Sequence, residues 1–290
     1  RQGPALLARA GEGGLMKTLR VGLSPCPNDT FIFHALFEGL VPLEGYRLEP
    51  VFEDVETLNV MARDGALEIT KISFHAWGHL RDTYTLLRSG SALGRGCGPL
   101  IVVRPGDEKR DLSTSRIAIP GRLTSANLLL RLFAPRVSPA SLIEMTFDRI
   151  MESVQSGEVD AGLIIHESRF TYRDFGLRKM VDLGDWWEEV HGYPIPLGGI
   201  IARRDIGEET IEAFDRALSS SVLHAMNHPE DSREFVRRHA QEMDDEVMAA
   251  HIGLYVNDFT VNLGKEGASA VAHLFAIAET EGILPAAGPR

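Results

Sequence analysis

The residues best placed to do chemistry belong to a polar cluster that begins at His166. The cluster follows residues 160–165, an apolar segment rich in branched side chains that predicts a short buried strand. In open α/β sheets, ligands bind just beyond the carboxyl ends of the strands. An imidazole at that position can accept and return a proton near neutral pH. The sequence therefore offers His166 as a general base; the alternative is a histidine that only bonds a neighbouring carbonyl group.

Two further strand ends carry side chains that suit an anion. Lys71 and Ser73 stand where a predicted strand, residues 67–72, gives way to a helix, and this combination favours a carboxylate ligand. A solvated surface lysine is an equally good interpretation of Lys71 taken alone. Thr124 and Ser125 open another predicted helix, whose free N–H groups and hydroxyls would bind an anion or a hydroxyl group.

A fourth strand end, residues 24–30, has the sequence Ser-Pro-Cys-Pro-Asn-Asp-Thr. It is either a rigid loop that presents a helix N-terminus to a ligand or simply a helix cap, with Asn28 or Asp29 as the N-cap. Cys26 is a weak candidate nucleophile, since a lone cysteine is more often packed and inert.

The remaining candidates for metal or cofactor chemistry are weaker. His75 and His79 have an i, i+4 spacing without the HExxH carboxylate, so a pair on a helix surface is favoured and we assign no metal site. Residues 120–127 lack the Gly-Lys-Ser/Thr pattern of a phosphate loop, and no dinucleotide fingerprint occurs, so we expect no cofactor. Four histidines of the C-terminal helices are interpreted as structural or exposed: His224, His228, His251 and His273.

The elements that must position these residues alternate between strand and helix. This rhythm predicts a parallel sheet with helices on its faces, and the chain closes with helices that need a sheet to cover. Predicted strands are 19–24, 46–52, 67–72, 84–88, 100–104, 116–119, 143–147, 160–165 and 197–203; predicted helices include 28–39, 55–63, 74–81, 124–133 and 148–155.

Two such series, joined by the glycine-rich residues 89–99, predict two α/β lobes with a ligand cleft and a hinge between them. The second series is inserted into the first. We expect lobe 1 to comprise residues 17–101 and 196–290, and lobe 2 residues 102–195. Residues 1–16 are expected to form a disordered extension upstream of an internal start.

Composition limits the classes of partner. The chain has 290 residues, 30 Lys and Arg against 41 Asp and Glu, and a net charge of -11. This balance argues against nucleic acid or an anionic membrane as partner, but not against a small anionic substrate. Two cysteines, Cys26 and Cys97, form no disulfide framework, and no apolar run spans a membrane. We expect a cytoplasmic protein; the oligomeric state stays open, with a homodimer among the options.

Several long blocks of the sequence together resemble one family, the 1,4-dihydroxy-6-naphthoate synthases of the futalosine route to menaquinone. The resemblance runs from about Leu19 to Leu284. The blocks are 24–31 (SPCPNDTF), 54–59 (DVETLN), 88–96 (RSGSALGRG), 120–124 (PGRLT) and, above all, 162–172 (GLIIHESRFTY).

This resemblance implies the two-lobed fold of type II periplasmic binding proteins and a carbon–carbon lyase activity. The implied substrate is cyclic dehypoxanthinyl futalosine, and the implied products are 1,4-dihydroxy-6-naphthoate and dihydroxyacetone. His166 matches the family's base. The residues that match its substrate contacts are Lys71, Ile72, Ser73, Thr124, Ser125 and Ala126.

The mechanism that we expect is a retro-aldol cleavage with His166 as the general base, and it requires neither a metal nor a redox cofactor. Two alternatives stay open. A chorismate dehydratase would share the fold and the pathway, but we would not expect its sequence to contain the block at 162–172. A binding protein for a small organic anion would normally carry an export signal, and none is visible.

Overall fold

The computed structural model describes residues 16–240 and 244–286, so the predictions for residues 1–15 lie outside the described residues. The strands are β1 (Lys17–Leu23), β2 (Tyr46–Phe52), β3 (Ile69–Ser73), β4 (Tyr84–Leu86), β5 (Ala92–Gly94), β6 (Leu100–Val103), β7 (Ile117–Ile119), β8 (Leu142–Glu144), β9 (Ala161–Ile164), β10 (Arg178–Asp182) and β11 (Ile195–Arg203). The helices are α1 (Pro27–Phe37), α2 (Val55–Arg63), α3 (Phe74–Leu80), α4 (Ser125–Phe133), α5 (Phe147–Ser156), α6 (Ser168–Thr171), α7 (Leu183–His191), α8 (Glu208–Asn227), α9 (Pro229–His239), α10 (Asp245–Tyr255), α11 (Asp258–Val261) and α12 (Gly264–Thr280).

The first sheet has the strand order β2-β1-β3-β11-β4, and β5 also pairs with β11. β1, β2 and β3 are parallel, as the alternating pattern predicts, and Gly22 of β1 stands opposite Thr70 of β3. The carboxyl ends of β1 and β3 therefore meet at one edge of the sheet. β11 runs antiparallel to β3, β4 and β5, so the sheet is mixed rather than wholly parallel.

The second sheet has the order β10-β6-β9-β7-β8. β7 is parallel to both β8 and β9, whereas β6 is antiparallel to β9 and to β10. β5 and β10 were not predicted, because each lies in a segment without a clear alternating pattern. The division of the chain into lobes at residues 101/102 and 195/196 stays a prediction; β6 belongs to the second sheet and β11 to the first.

The two long C-terminal helices, α8 and α12, each bury an apolar stripe against the rest of the protein. Phe214, Leu218 and Val222 of α8 are fully buried in one cluster with Val21 and Ile200 of the first sheet. Leu274 and Phe275 of α12 belong to a second cluster that reaches into the second sheet. Burial of each such side chain stabilises the fold by roughly 1.5–3 kcal/mol, so these side chains hold the helices against the sheets.

Within residues 16–240 and 244–286, none of the helices combines the length and the apolar character required to cross a bilayer.

Candidate active site

A cleft of about 650 Å³, including space open to solvent, is lined by residues that follow strands of both sheets. Every residue that the sequence predicts for the site lines this one cleft: Lys71, Ile72, Ser73, Thr124, Ser125, Ala126 and His166. The fold thus brings together three segments that are about 50 and 40 residues apart in the chain. Their individual roles stay a prediction.

Lys71 forms a buried ion pair at the carboxyl end of β3. Its Nζ donates to Asp29 Oδ1 at 2.7 Å, and the two side chains are 8% and 2% exposed. The interpretation of Lys71 as a solvated surface lysine is therefore wrong. A buried pair of this kind persists only because each charge compensates the other, since an isolated buried charge is costly.

Asp29 is held from both sides. Its Oδ2 accepts from the Ser24 hydroxyl at 2.8 Å and from the Ser24 N–H at 3.3 Å, and its Oδ1 also accepts from Asn28 Nδ2 at 3.0 Å. This network fixes which end of the Asn28 amide faces the cleft.

Helix α1 begins earlier than expected. Pro27 is its first residue and Cys26 its N-cap, without a side-chain capping bond, so the prediction of Asn28 or Asp29 as the N-cap is wrong. The physical reason is that the Asp29 carboxylate binds Lys71 and Ser24 instead of the helix's free N–H groups.

The start of α4 is joined to the first sheet by hydrogen bonds. Ser125 donates its hydroxyl to the Leu197 carbonyl of β11 and accepts from the His75 N–H at 3.3 Å. His75 Nδ1 lies 3.1 Å from the Thr124 carbonyl oxygen. The Thr124 hydroxyl caps the helix by accepting from the Asn127 N–H at 3.2 Å. The hydroxyls of Thr124 and Ser125 are thus engaged within the protein.

The Leu123 N–H, just before α4, donates to Glu56 Oε1 of α2 at 2.9 Å. The turn needs a glycine at 121, where φ is +154° and a Cβ atom would lie 2.4 Å from Glu56 Cδ. Glu56 also accepts from Asn59, which in turn accepts from the Ser73 N–H at 2.9 Å. One chain of bonds therefore links the two polar strand ends. Burial raises the Glu56 pKa above its ordinary value.

His166 stands immediately beyond β9 in an unusual backbone conformation. Its φ is +55°, the one positive φ among the described residues other than glycine. Such a conformation costs a residue other than glycine about 1–2 kcal/mol, so it must be stabilised by its surroundings. The ring packs edge-on against Phe147, with centroids 5.2 Å apart, and Nδ1 lies 3.5 Å from Cys26 Sγ.

The environment of His166 favours the neutral imidazole. Burial lowers its pKa below the ordinary value, and the negative charge of Glu167 opposes that shift. A neutral imidazole is the form that can accept a proton. When Nδ1 bonds the Cys26 sulfur as a donor, Nε2 is the nitrogen that carries the free lone pair.

His251 of α10 also lines the cleft and is fully buried, so of the two interpretations, structural or exposed, the exposed one is wrong. Its Nε2 donates to Asn28 Oδ1 at 2.9 Å, and its ring lies nearly parallel to that of His166, with centroids 6.1 Å apart. The sequence carries no local signal for this position, since His251 follows α8 and α9 and no motif surrounds it. Burial lowers its pKa well below the ordinary value.

His75 is buried rather than on a helix surface, because α3 packs against the start of α4. Burial lowers the pKa of His75 to about 4. The rings of His75 and His79 are 5.5 Å apart, but Nδ1 of His75 faces the Thr124 carbonyl oxygen rather than a ligand shared with His79.

The fold and the cleft define a class of protein. Solved structures with the same fold include the periplasmic aliphatic sulphonate binding protein of Escherichia coli, with a TM-score of 0.63, 13% identity, and coverage of 93% of this chain and 89% of that chain. At this identity the likeness shows the fold alone, the periplasmic-binding-protein fold that the resemblance implied. A crystal structure of an Archaeoglobus fulgidus protein is more similar, with a TM-score of 0.86 and 39% identity over 92% of this chain and 98% of that one.

The sequence comparisons then show the particular family. The menaquinone biosynthesis family model matches residues 19–280, and the chain belongs to that family. It is 54% identical to the 1,4-dihydroxy-6-naphthoate synthase of Thermus thermophilus, over 95% of this chain and 98% of that protein. It is 46% identical to the synthase of Streptomyces coelicolor, over 94% and 96% respectively. The resemblance found in the sequence is confirmed, and the chain is an enzyme of menaquinone biosynthesis.

Proposed function

We propose that the chain is a 1,4-dihydroxy-6-naphthoate synthase that cleaves cyclic dehypoxanthinyl futalosine to 1,4-dihydroxy-6-naphthoate and dihydroxyacetone. The observation that carries the proposal is His166, a neutral imidazole at a strand end, in one cleft with the six other predicted residues. The identity with two synthases over nearly the whole chain supports the same reaction.

Substrate binding uses the polar groups of the first sheet and of α4. Lys71 has three ammonium donors and directs one of them at Asp29, so the others are available to a substrate carboxylate. The N-terminus of α4, at Ser125 and Ala126, supplies backbone N–H groups and a favourable dipole for the same anion. Ile72 contributes apolar surface beside the ring system.

In the chemical step, His166 accepts the proton of a sugar-derived hydroxyl group. The O–H electron pair forms a carbonyl group, the adjacent carbon–carbon bond breaks, and its electrons pass into the ring system, which becomes aromatic. The imidazolium then returns its proton to the product. A well-placed general base accelerates a reaction by roughly 10²–10⁴-fold.

The test is a cofactor-free incubation with cyclic dehypoxanthinyl futalosine, followed by mass spectrometry, for the wild type and for His166→Asn. Asparagine tolerates a positive φ better than other side chains, so this variant removes the base while keeping the backbone. Dihydroxynaphthoate from the wild type alone supports both the reaction and the base.

Product from both proteins at equal rates would retain the reaction and reject His166 as the base. Unchanged substrate with both proteins would reject the proposed reaction, and chorismate would then test the dehydratase alternative. A ligand that binds and is never depleted would indicate a binding protein.

A further inference from the structure

Three potential metal ligands meet at the end of the cleft: the Cys26 thiol, an imidazole nitrogen of His166 and the Glu167 carboxylate. Their ligand atoms all lie within 4.8 Å of one another. Cys26 and Glu167 are 4% and 8% exposed, and the neighbouring His251 is fully buried, so this is not a surface cluster.

The distance between the sulfur and the imidazole nitrogen matches that between two ligands of one tetrahedral ion. With Zn–S near 2.3 Å and Zn–N near 2.0–2.1 Å, a sulfur and a nitrogen on the same zinc are about 3.5 Å apart. Cys26 Sγ and His166 Nδ1 are 3.5 Å apart. His251 Nδ1 lies 3.7 Å from Glu167 Oε2, which is too long for a hydrogen bond.

Glu167 Oε2 is a buried acceptor that lacks a hydrogen-bond partner among the described residues. Asn28 Nδ2 donates to Asp29, so Asn28 Oδ1 faces His251 and fixes the imidazole proton on Nε2. His251 Nδ1 therefore presents a lone pair to Glu167 Oε2 instead of a donor. An acceptor left in this state is unfavourable in a buried site unless a donor or a cation satisfies it, so the Glu167 carboxylate has an oxygen available to a metal ion.

The charges around the site also suit a divalent ion. Asp29 and Lys71 compensate each other, so the Cys26 thiolate and the Glu167 carboxylate would neutralise a divalent ion.

We propose that Cys26, His166 and Glu167 bind a divalent ion of the zinc class. Binding releases the Cys26 thiol proton to solvent, because the thiolate is the ligand. The ion occupies His166 Nδ1, which leaves the proton on Nε2 and removes the lone pair that would act as the base. The ion is therefore an inhibitor, a consequence that rests on the proposed function, whereas binding itself does not.

The test uses Co²⁺ as a spectroscopic probe with the full chain and a reductant that does not chelate metals. We expect one equivalent of Co²⁺ to give a near-ultraviolet thiolate charge-transfer band and the intense visible bands of a four-coordinate ion, both abolished by Zn²⁺. Cys26→Ser removes the charge-transfer band. Cys97→Ser, the matched control at the other cysteine of the chain, keeps it.

Glu167→Gln removes a charged ligand; it should retain the charge-transfer band and weaken Co²⁺ binding at least ~10-fold. Absence of the band in the wild type, or its loss in Cys97→Ser, would overturn the proposal. If Cys26→Ser does not fold by circular dichroism, Glu167→Gln decides, since an unchanged affinity would exclude Glu167 from the site and overturn the proposal. Inhibition by Zn²⁺ and its reversal by a chelator are measured separately with the substrate, so a failed reaction would leave the binding result intact.

Discussion

Two carboxylates next to the cleft, Asp29 and Glu167, differ sharply in how they are satisfied. Asp29, from the first sheet's side, accepts four hydrogen bonds, including one from Lys71. Glu167, beyond β9 of the second sheet, lies beside the strained His166, and its Oε2 has no hydrogen-bond partner within residues 16–240 and 244–286. The carboxylate on the side of the first sheet thus has all its hydrogen bonds made within the protein and fixes the geometry of its neighbours. The carboxylate on the side of the second sheet keeps an oxygen that is available to a substrate group or a cation.

The largest expected effect on stability concerns the hydrogen-bond network of Asp29. Asp29→Asn leaves Lys71 buried without its counter-charge and should lower the free energy of unfolding by about 3–5 kcal/mol. Urea unfolding followed by circular dichroism measures the change. A loss below about 1 kcal/mol would mean that the network is dispensable and that Asp29 and Glu167 do not differ as described.

An effect of intermediate size concerns pH and His75, which bridges to the start of α4. Its pKa in the folded state, about 4, lies below the ordinary 6.5, so the unfolded chain binds the proton more tightly. Stability should therefore be complete above pH 6.5 and fall by about 3 kcal/mol as the pH drops through 4. His75→Asn keeps a donor near the position of Nδ1 and should lack this pH dependence. The free energy of unfolding is measured for both proteins at several pH values. The same dependence on pH in the wild type and the variant would refute the prediction.

A smaller effect separates the side chain of His166 from its backbone. His166→Val places a β-branched residue at a φ of +55°, and should be less stable than His166→Asn by about 1–2 kcal/mol. Thermal or urea unfolding of the two variants checks this. Equal stabilities would show that the backbone at residue 166 changes conformation without cost and that it is not strained.

The smallest effect reverses the sign seen at Asp29. Glu167→Gln replaces an unpartnered acceptor with an amide that can donate to His251 Nδ1, so it should stabilise the metal-free protein by about 0.5–1.5 kcal/mol. Urea unfolding in the presence of a chelator is the measurement. Destabilisation similar to that of Asp29→Asn would show that Glu167 is as firmly bonded as its counterpart.

Local chemistry explains which elements could be predicted. β2 and α2 have the predicted bounds, because residues 46–52 form a compact strand pattern and Asp54 caps the helix by accepting from two N–H groups. β5 and β10 were missed because their pairing comes from the partner strands β11 and β6 rather than from their own pattern.

The same distinction applies to the site. His166 follows a strand, Ser125 opens a helix and Lys71 lies inside a strand near its carboxyl end, and such positions are visible in a sequence. The ion pair of Lys71 with Asp29 and the contact of His251 with Asn28 join residues 42 and 223 positions apart, so only the folded chain reveals them.

The hydrogen bonds around the start of α4 have a further consequence. Leu123, Thr124 and Ser125 contact Glu56, His75 and Leu197 of the first sheet's half, and Thr124 and Ser125 also line the cleft. Any motion that moves the start of α4 away from the first sheet and its helices must break these hydrogen bonds. A substitution here therefore changes apparent affinity twice, through the contact itself and through the fraction of molecules in the binding-competent state. At these positions, an equilibrium affinity combines the intrinsic affinity for the ligand with the fraction of binding-competent molecules. Measurement of the association and dissociation rates separates the two.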